Sequence, residues 1–130
     1  MRTRTTLLAI LAFTVFGVSF TAQAPAFKRD IVQRGDLSTA GKEAIMAVAE
    51  FNPGADTGLH THPGEEISYV LEGTLVLEVE GRGLVTLKAG DSFLVEAGKV
   101  HGAANKGGSV TRVVSTYIVA KGQPLATPAR

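Results

Sequence analysis

Two histidines one residue apart, His60 and His62, are followed at once by Pro63-Gly64 and a pair of glutamates, Glu65 and Glu66. On an extended backbone, side chains two positions apart project from the same face, so both imidazoles can meet one metal ion. The Pro-Gly turn then brings a carboxylate close by. Because that turn interrupts the alternation of faces, spacing by itself does not separate Glu65 from Glu66. His101 follows a second glycine turn at Gly98, where antiparallel pairing would return it against the first pair. The chain has 3 His in 130 residues, and all of them fall in this set. Neutral imidazoles with one carboxylate suit divalent first-row metals such as Fe, Mn, Ni, Co or Zn. They suit calcium and magnesium poorly, since those ions prefer all-oxygen shells.

Composition removes most competing chemistry. With no Cys, there are no disulfides, thiolate nucleophiles or cysteine-ligated metals. Thirteen Lys+Arg against twelve Asp+Glu give a formal charge of +1 with no basic run, so nothing nominates a nucleic acid as partner. At 130 residues one domain is expected. Residues 1–24 read as an export signal: Arg2 and Arg4, an apolar run from Leu7 to Phe20, then Ala22-Gln23-Ala24 as a small-x-small cleavage pattern. The run of 14 residues is short for a membrane span, which needs about 20. Cleavage there would leave 106 residues and remove two arginines, turning the formal charge from +1 to −1. The expected location is the periplasm or the exterior, with no membrane association once the leader is gone. There Cu joins Zn as a strong competitor for the site.

The elements that must hold these side chains are short strands punctuated by glycine. Residues 25–43 show no clean period and are expected to form an N-terminal arm with one edge strand. Ala44 to Phe51 reads as a strand ending at Asn52-Pro53-Gly54. Further strands are expected at Ile67 to Leu71, Thr74 to Glu80, Leu84 to Lys88, Asp91 to Val95, Val100 to Ala104 and Val110 to Val119. In the second of these, Leu75, Leu77 and Val79 alternate with more polar neighbours, the period of a half-buried strand. No stretch after the leader carries a helical stripe. Residues 44–120 therefore read as an all-β, antiparallel jelly-roll barrel, with 121–130 as a polar tail.

The turns and the candidate ligands together resemble the cupin superfamily. Its first motif is matched by Gly54, five residues, His60-Thr61-His62, three residues, Glu66, six residues and Gly73. Its second is matched by Gly90, five residues, Glu96-Ala97-Gly98, two residues, His101, three residues and Asn105. Sixteen residues separate the motifs, as in small microbial cupins. The resemblance implies a jelly-roll cup in which His60, His62, Glu66 and His101 hold one divalent metal. It selects Glu66 over Glu65, because Glu66 stands six residues before Gly73. Glu96 departs from the family, which usually has proline there. The loss removes a preset turn dihedral and leaves the ligands intact, with a carboxylate at the cup mouth as the alternative role. Asn105 is expected to make turn hydrogen bonds.

Three classes of function follow from the resemblance. The first is a metal-dependent enzyme, dioxygenase- or isomerase-like, acting on a small organic molecule. The others are a metal- or ligand-binding sensor and a scaffold. Counting outward from Glu66 places Ser68 and Val70 inside the cup and Tyr69 outside, with Phe51, Phe93 and Tyr117 as further candidate lining. That interior is mostly apolar, and the motif strands offer no Arg or Lys for a dicarboxylate. The expected substrate is accordingly neutral or aromatic, and a homodimer is expected by analogy with small cupins.

Overall fold

A computed structural model describes residues 27–130, and the leader segment 1–24 lies outside the described residues. Among the described residues, ten strands form two five-stranded antiparallel sheets. The first sheet has the order β1 (Phe27–Asp36), β2 (Lys42–Phe51), β9 (Thr111–Ala120), β4 (Gly64–Glu72) and β7 (Ser92–Val95). The second runs β10 (Thr127–Pro128), β3 (His60–Thr61), β8 (His101–Ala104), β5 (Thr74–Val79) and β6 (Gly83–Lys88). Strands that are neighbours in sequence repeatedly sit in opposite sheets, which is the jelly-roll arrangement expected from the strand pattern. No helix among the described residues is long and apolar enough to cross a membrane.

Inward-facing side chains of both sheets meet in one core. Ala49, Phe51, Val70, Leu75, Leu77, Val79, Leu87, Val95 and Val113 are buried there together. Each large apolar side chain taken out of water contributes about 1.5–3 kcal/mol. The alternation of Leu75, Leu77 and Val79 is realised as buried positions in β5, with Thr74 and Glu78 exposed. A second buried group, Ile45, Ala47, Tyr117 and Val119, closes the other end, with Leu125 packed against it.

One expected element and one departure matter for the site. The segment 25–43 carries a ten-residue strand, β1, that pairs along the whole of β2 from Phe27↔Phe51 to Asp36↔Glu43. It is the edge strand expected in that segment, and because its outer half is exposed its sequence has no buried period to mark its bounds or its pairing. The tail 121–130 is not wholly loose: Thr127 and Pro128 pair with Thr61 and His60 as β10.

Gly64, in the first histidine motif, is required by close approach. A Cβ there would lie 1.9 Å from the Ile118 carbonyl oxygen, where β4 runs against β9. Gly73 combines a φ of +78° with a Cβ position 2.5 Å from Thr111 Oγ1, so no other residue fits the β4–β5 turn without moving β9.

Candidate metal centre

The first sheet supplies the carboxylate and the second supplies imidazoles. His60 and His101 are register partners across β3 and β8, and His62 follows β3 directly. All three are buried, and one ring nitrogen from each lies within 4.8 Å of the others. Ring centroids stand 4.4 Å apart for His60 and His101, 4.8 Å for His60 and His62, and 5.0 Å for His62 and His101.

Backbone carbonyls decide which nitrogens face the centre. Nδ1 of His60 donates to the Gly58 carbonyl at 3.0 Å, that of His101 to the Lys99 carbonyl at 2.9 Å, and that of His62 to the Leu125 carbonyl at 2.5 Å. A proton held on Nδ1 leaves the Nε2 lone pair free, which is the tautomer a metal-binding imidazole needs. Nε2 of His62 and of His101 are buried with no hydrogen-bond partner. A buried lone pair of this kind costs free energy unless a donor or a cation meets it. Converging from neighbouring strands of one sheet, they fit a cation.

Glu66 lies beside them, 6% exposed, with Oε2 3.0 Å from His62 Nε2 and 3.3 Å from His101 Nε2. Its other oxygen, Oε1, accepts hydrogen bonds from Ser68 Oγ at 2.7 Å and Ser115 Oγ at 3.0 Å. The two hydroxyls turn Oε2 towards the imidazoles. Burial by itself pushes the Glu66 carboxyl up, but the His101 and His62 imidazoles and the Ser68 hydroxyl outweigh it and hold the carboxyl well below the usual carboxylate range. His60 is lowered to about 4, chiefly by burial and also by its charged neighbours. For His101, burial is outweighed by Glu66 and by the Lys99 carbonyl, and its pKa is raised.

The remaining candidates separate cleanly. Glu65 is only half-buried, outside the histidine cluster. Ser68 and Val70 face inward with Glu66, and Tyr69, 46% exposed, faces out, as alternation from Glu66 expects. Glu96 forms an exposed ion pair with Arg82 and does not line the cup. Asn105 is fully buried and ties its turn together, donating from Nδ2 to the Phe51 and Ser109 carbonyls while Oδ1 accepts from the Gly107 amide.

Phe51, Phe93 and Tyr117 all reach the cavity beside His60, Glu66 and His101. Tyr117 packs edge-on to His62 at 4.7 Å, and burial together with the Glu66 charge pushes its hydroxyl up to about 12. Sequence reasoning missed Ser115, the Leu125 carbonyl and Arg29. A serine at a buried position within the apolar run of β9 was a readable signal for the first. A backbone carbonyl has no residue-type signal. Arg29 lay outside the motif strands, in the segment whose pairing the sequence did not reveal.

Comparison with known proteins agrees with the fold and the motifs. The cupin-domain family Cupin_2 matches residues 47–117, more than half of the chain. The chain belongs to that family. It is 36% identical over 124 residues to the HTH-type transcriptional regulator PuuR of Escherichia coli, covering 79% of this chain and 66% of the regulator. The chain thus spans just under two thirds of that relative's length. It is also 36% identical over 78 residues to the beta-alanine degradation protein BauB of Pseudomonas aeruginosa, covering 58% of this chain and 82% of BauB. Among solved structures, an uncharacterized double-stranded beta-helix protein from Klebsiella pneumoniae superposes with a TM-score of 0.64 at 26% identity, covering 78% of this chain and 84% of its own.

Proposed function

We propose that this cupin is a metal-dependent enzyme, holding one divalent transition-metal ion on His60, His62, His101 and Glu66 and converting a small organic molecule in the adjoining cavity. One observation carries the reading: imidazoles whose Nδ1 atoms are all tied to carbonyls turn their other nitrogens onto one buried point beside a carboxylate. A bound ion of this class supplies Lewis acidity at an open coordination position and, if redox-active, one-electron chemistry. The chain does the rest. Three carbonyls fix the imidazole tautomers, Ser68 and Ser115 aim the carboxylate, and Phe51, Phe93 and Tyr117 exclude bulk water. The similarity to BauB, a protein named for the degradation of a small metabolite, supports an enzyme. Similarity to the PuuR regulator favours a second reading, a sensor that binds metal and ligand without turnover.

Elemental analysis of purified protein is expected to find one equivalent of a transition metal, and His62→Ala to lose it. A His62→Ala protein that retains a full equivalent sinks the site. Oxygen uptake or product formation that disappears in the same variant identifies the enzyme. Ligand binding with no turnover across phenolic, enolic and carboxylate compounds identifies the sensor.

A further inference from the structure

Arg29 is the charged side chain that the metal reading leaves unexplained. Along the first half of β1, Phe27 and Arg29 turn towards the cup, while Lys28 and Asp30 face solvent and pair with each other at 2.6 Å. Arg34, Arg82 and Arg112 each engage a carboxylate, and Arg29 engages none among the described residues. Its guanidinium carbon stands 5.5 Å from the ring centroids of both Phe27 and Tyr117, and its Nε is buried with no hydrogen-bond partner. Aromatic faces offset part of the cost of that burial. They do not satisfy N–H groups, and a half-buried guanidinium whose Nε finds no acceptor offers a place for an anion.

Its position says which anion. Arg29 and His60, together with Phe27 and Thr57, line both the inner cavity beside the metal centre and an outer one of about 180 Å³. Leu59, Ala126 and Pro128 frame the outer cavity, so Arg29 stands at the neck between the two. The inner cavity has a volume of about 30 Å³, room for two or three waters at roughly 10–15 Å³ each. Space of that size admits the end of a short molecule and excludes a polyanion. The planar fork of a guanidinium matches the two oxygens of a carboxylate.

We infer that Arg29 is a substrate-anchoring residue, binding the carboxylate of a short molecule whose second oxygen function reaches past His60 to the metal centre. The inference rests on the metal reading above for that second contact. It also replaces the expectation of a neutral substrate, because the cation enters the cup from β1 and was invisible in the motif strands. The carboxylate class includes hydroxy and oxo acids, whose second oxygen is a metal ligand in its own right.

The test is calorimetric titration of the protein, metal-free and loaded with one equivalent of Zn(II), with glycolate and with glycolamide. The two probes share a hydroxyl and a shape and differ in the carboxylate. Loaded wild-type protein is expected to bind glycolate more tightly by roughly tenfold to a hundredfold, the range of a charge-assisted pair. Arg29→Gln is expected to abolish that preference while keeping its metal content and melting temperature. Arg29→Lys, which keeps the charge and loses the fork, is expected to retain part of the preference. Because Arg29→Lys preserves most of the packing, it decides the matter should Arg29→Gln fold poorly. The inference is overturned if loaded wild-type protein binds both probes alike, fails to bind glycolate, or if either variant keeps the full preference. Failure of the metal reading shows separately, as protein that takes up no zinc. In that case an Arg29-dependent preference for glycolate in metal-free protein still supports the anchor, and its absence overturns it.

Discussion

The carboxylate of Glu66 is held as firmly as the imidazoles, and by groups that are themselves buried. Ser68 Oγ lies 2.6 Å from Ser115 Oγ, and both reach Glu66 Oε1, so a cross-strand pair of hydroxyls joins β4 to β9 directly beneath the site. Removing both hydroxyls frees the carboxylate to rotate and leaves Oε1 buried without a donor. Outer partners of metal ligands typically account for tenfold to a hundredfold in affinity. The double variant Ser68→Ala/Ser115→Ala is therefore expected to bind zinc about tenfold to a hundredfold more weakly, measured by competition with a chromophoric chelator, while its far-ultraviolet circular dichroism stays that of the parent. Unchanged affinity would remove Glu66 from the ligand set, since a true ligand should feel the loss of its support.

At the level of elements, both ends of the described chain serve the site. The C-terminal segment contributes the Leu125 carbonyl to His62, pairs as β10 with β3, and donates from the Ala129 amide to the Leu59 carbonyl. Deleting residues 123–130 is expected to weaken zinc binding by about tenfold or more, because His62 loses the acceptor that fixes its tautomer. Leu125→Ala separates this from packing: it keeps the carbonyl, costs about 1–2 kcal/mol for the partly buried side chain, and should leave zinc affinity near that of the parent. Equal losses in the two variants, read by chelator competition and thermal melts, would assign the tail a packing role alone. Neither end was readable as part of the site. β4, β5 and β9 announce themselves because one face is buried and the sequence alternates accordingly, as Glu66, Ser68 and Val70 do. β1 and β10 are sheet edges, where burial imposes no period and pairing depends on backbone atoms that every residue carries. Glycine spacing located the four candidate ligands, since turns such as that at Gly73 admit one residue type.

For the molecule as a whole, metal, protons and stability are linked. Metal that binds only the folded chain adds about 2.7 kcal/mol when its free concentration is a hundred times the dissociation constant. In a domain of about 100 residues that raises the melting temperature by roughly 10 °C or more, an increment a chelator should remove at pH 7. Protonation sets its limits. Folded His60 resists protonation down to about 4, against 6.5 for the free side chain, so between those values the unfolded chain takes up a proton that folded His60 refuses. Its contribution to stability is present above 6.5 and is lost as pH falls towards 4. His101 is raised, so its contribution is fully present below 6.5 and is lost only as pH rises through its folded value; it stays constant while the His60 contribution is lost. Glu66 is depressed, and its contribution, present above the ordinary carboxyl value of 4.5, is lost below it. Metal-free protein should therefore lose stability progressively from pH 6.5 towards 4, as unfolded His60 takes up its proton, with the Glu66 contribution lost in addition below 4.5. The metal-dependent increment behaves differently, because binding needs every imidazole neutral. It should begin to shrink above pH 6.5, where folded His101 already takes up a proton, and go on shrinking below it, while metal-free protein is still folded. Thermal melts across this range, with zinc and with chelator, are expected to converge before the metal-free transition collapses. Curves that stay parallel down to pH 4.5 would mean that the metal is held by groups other than these histidines.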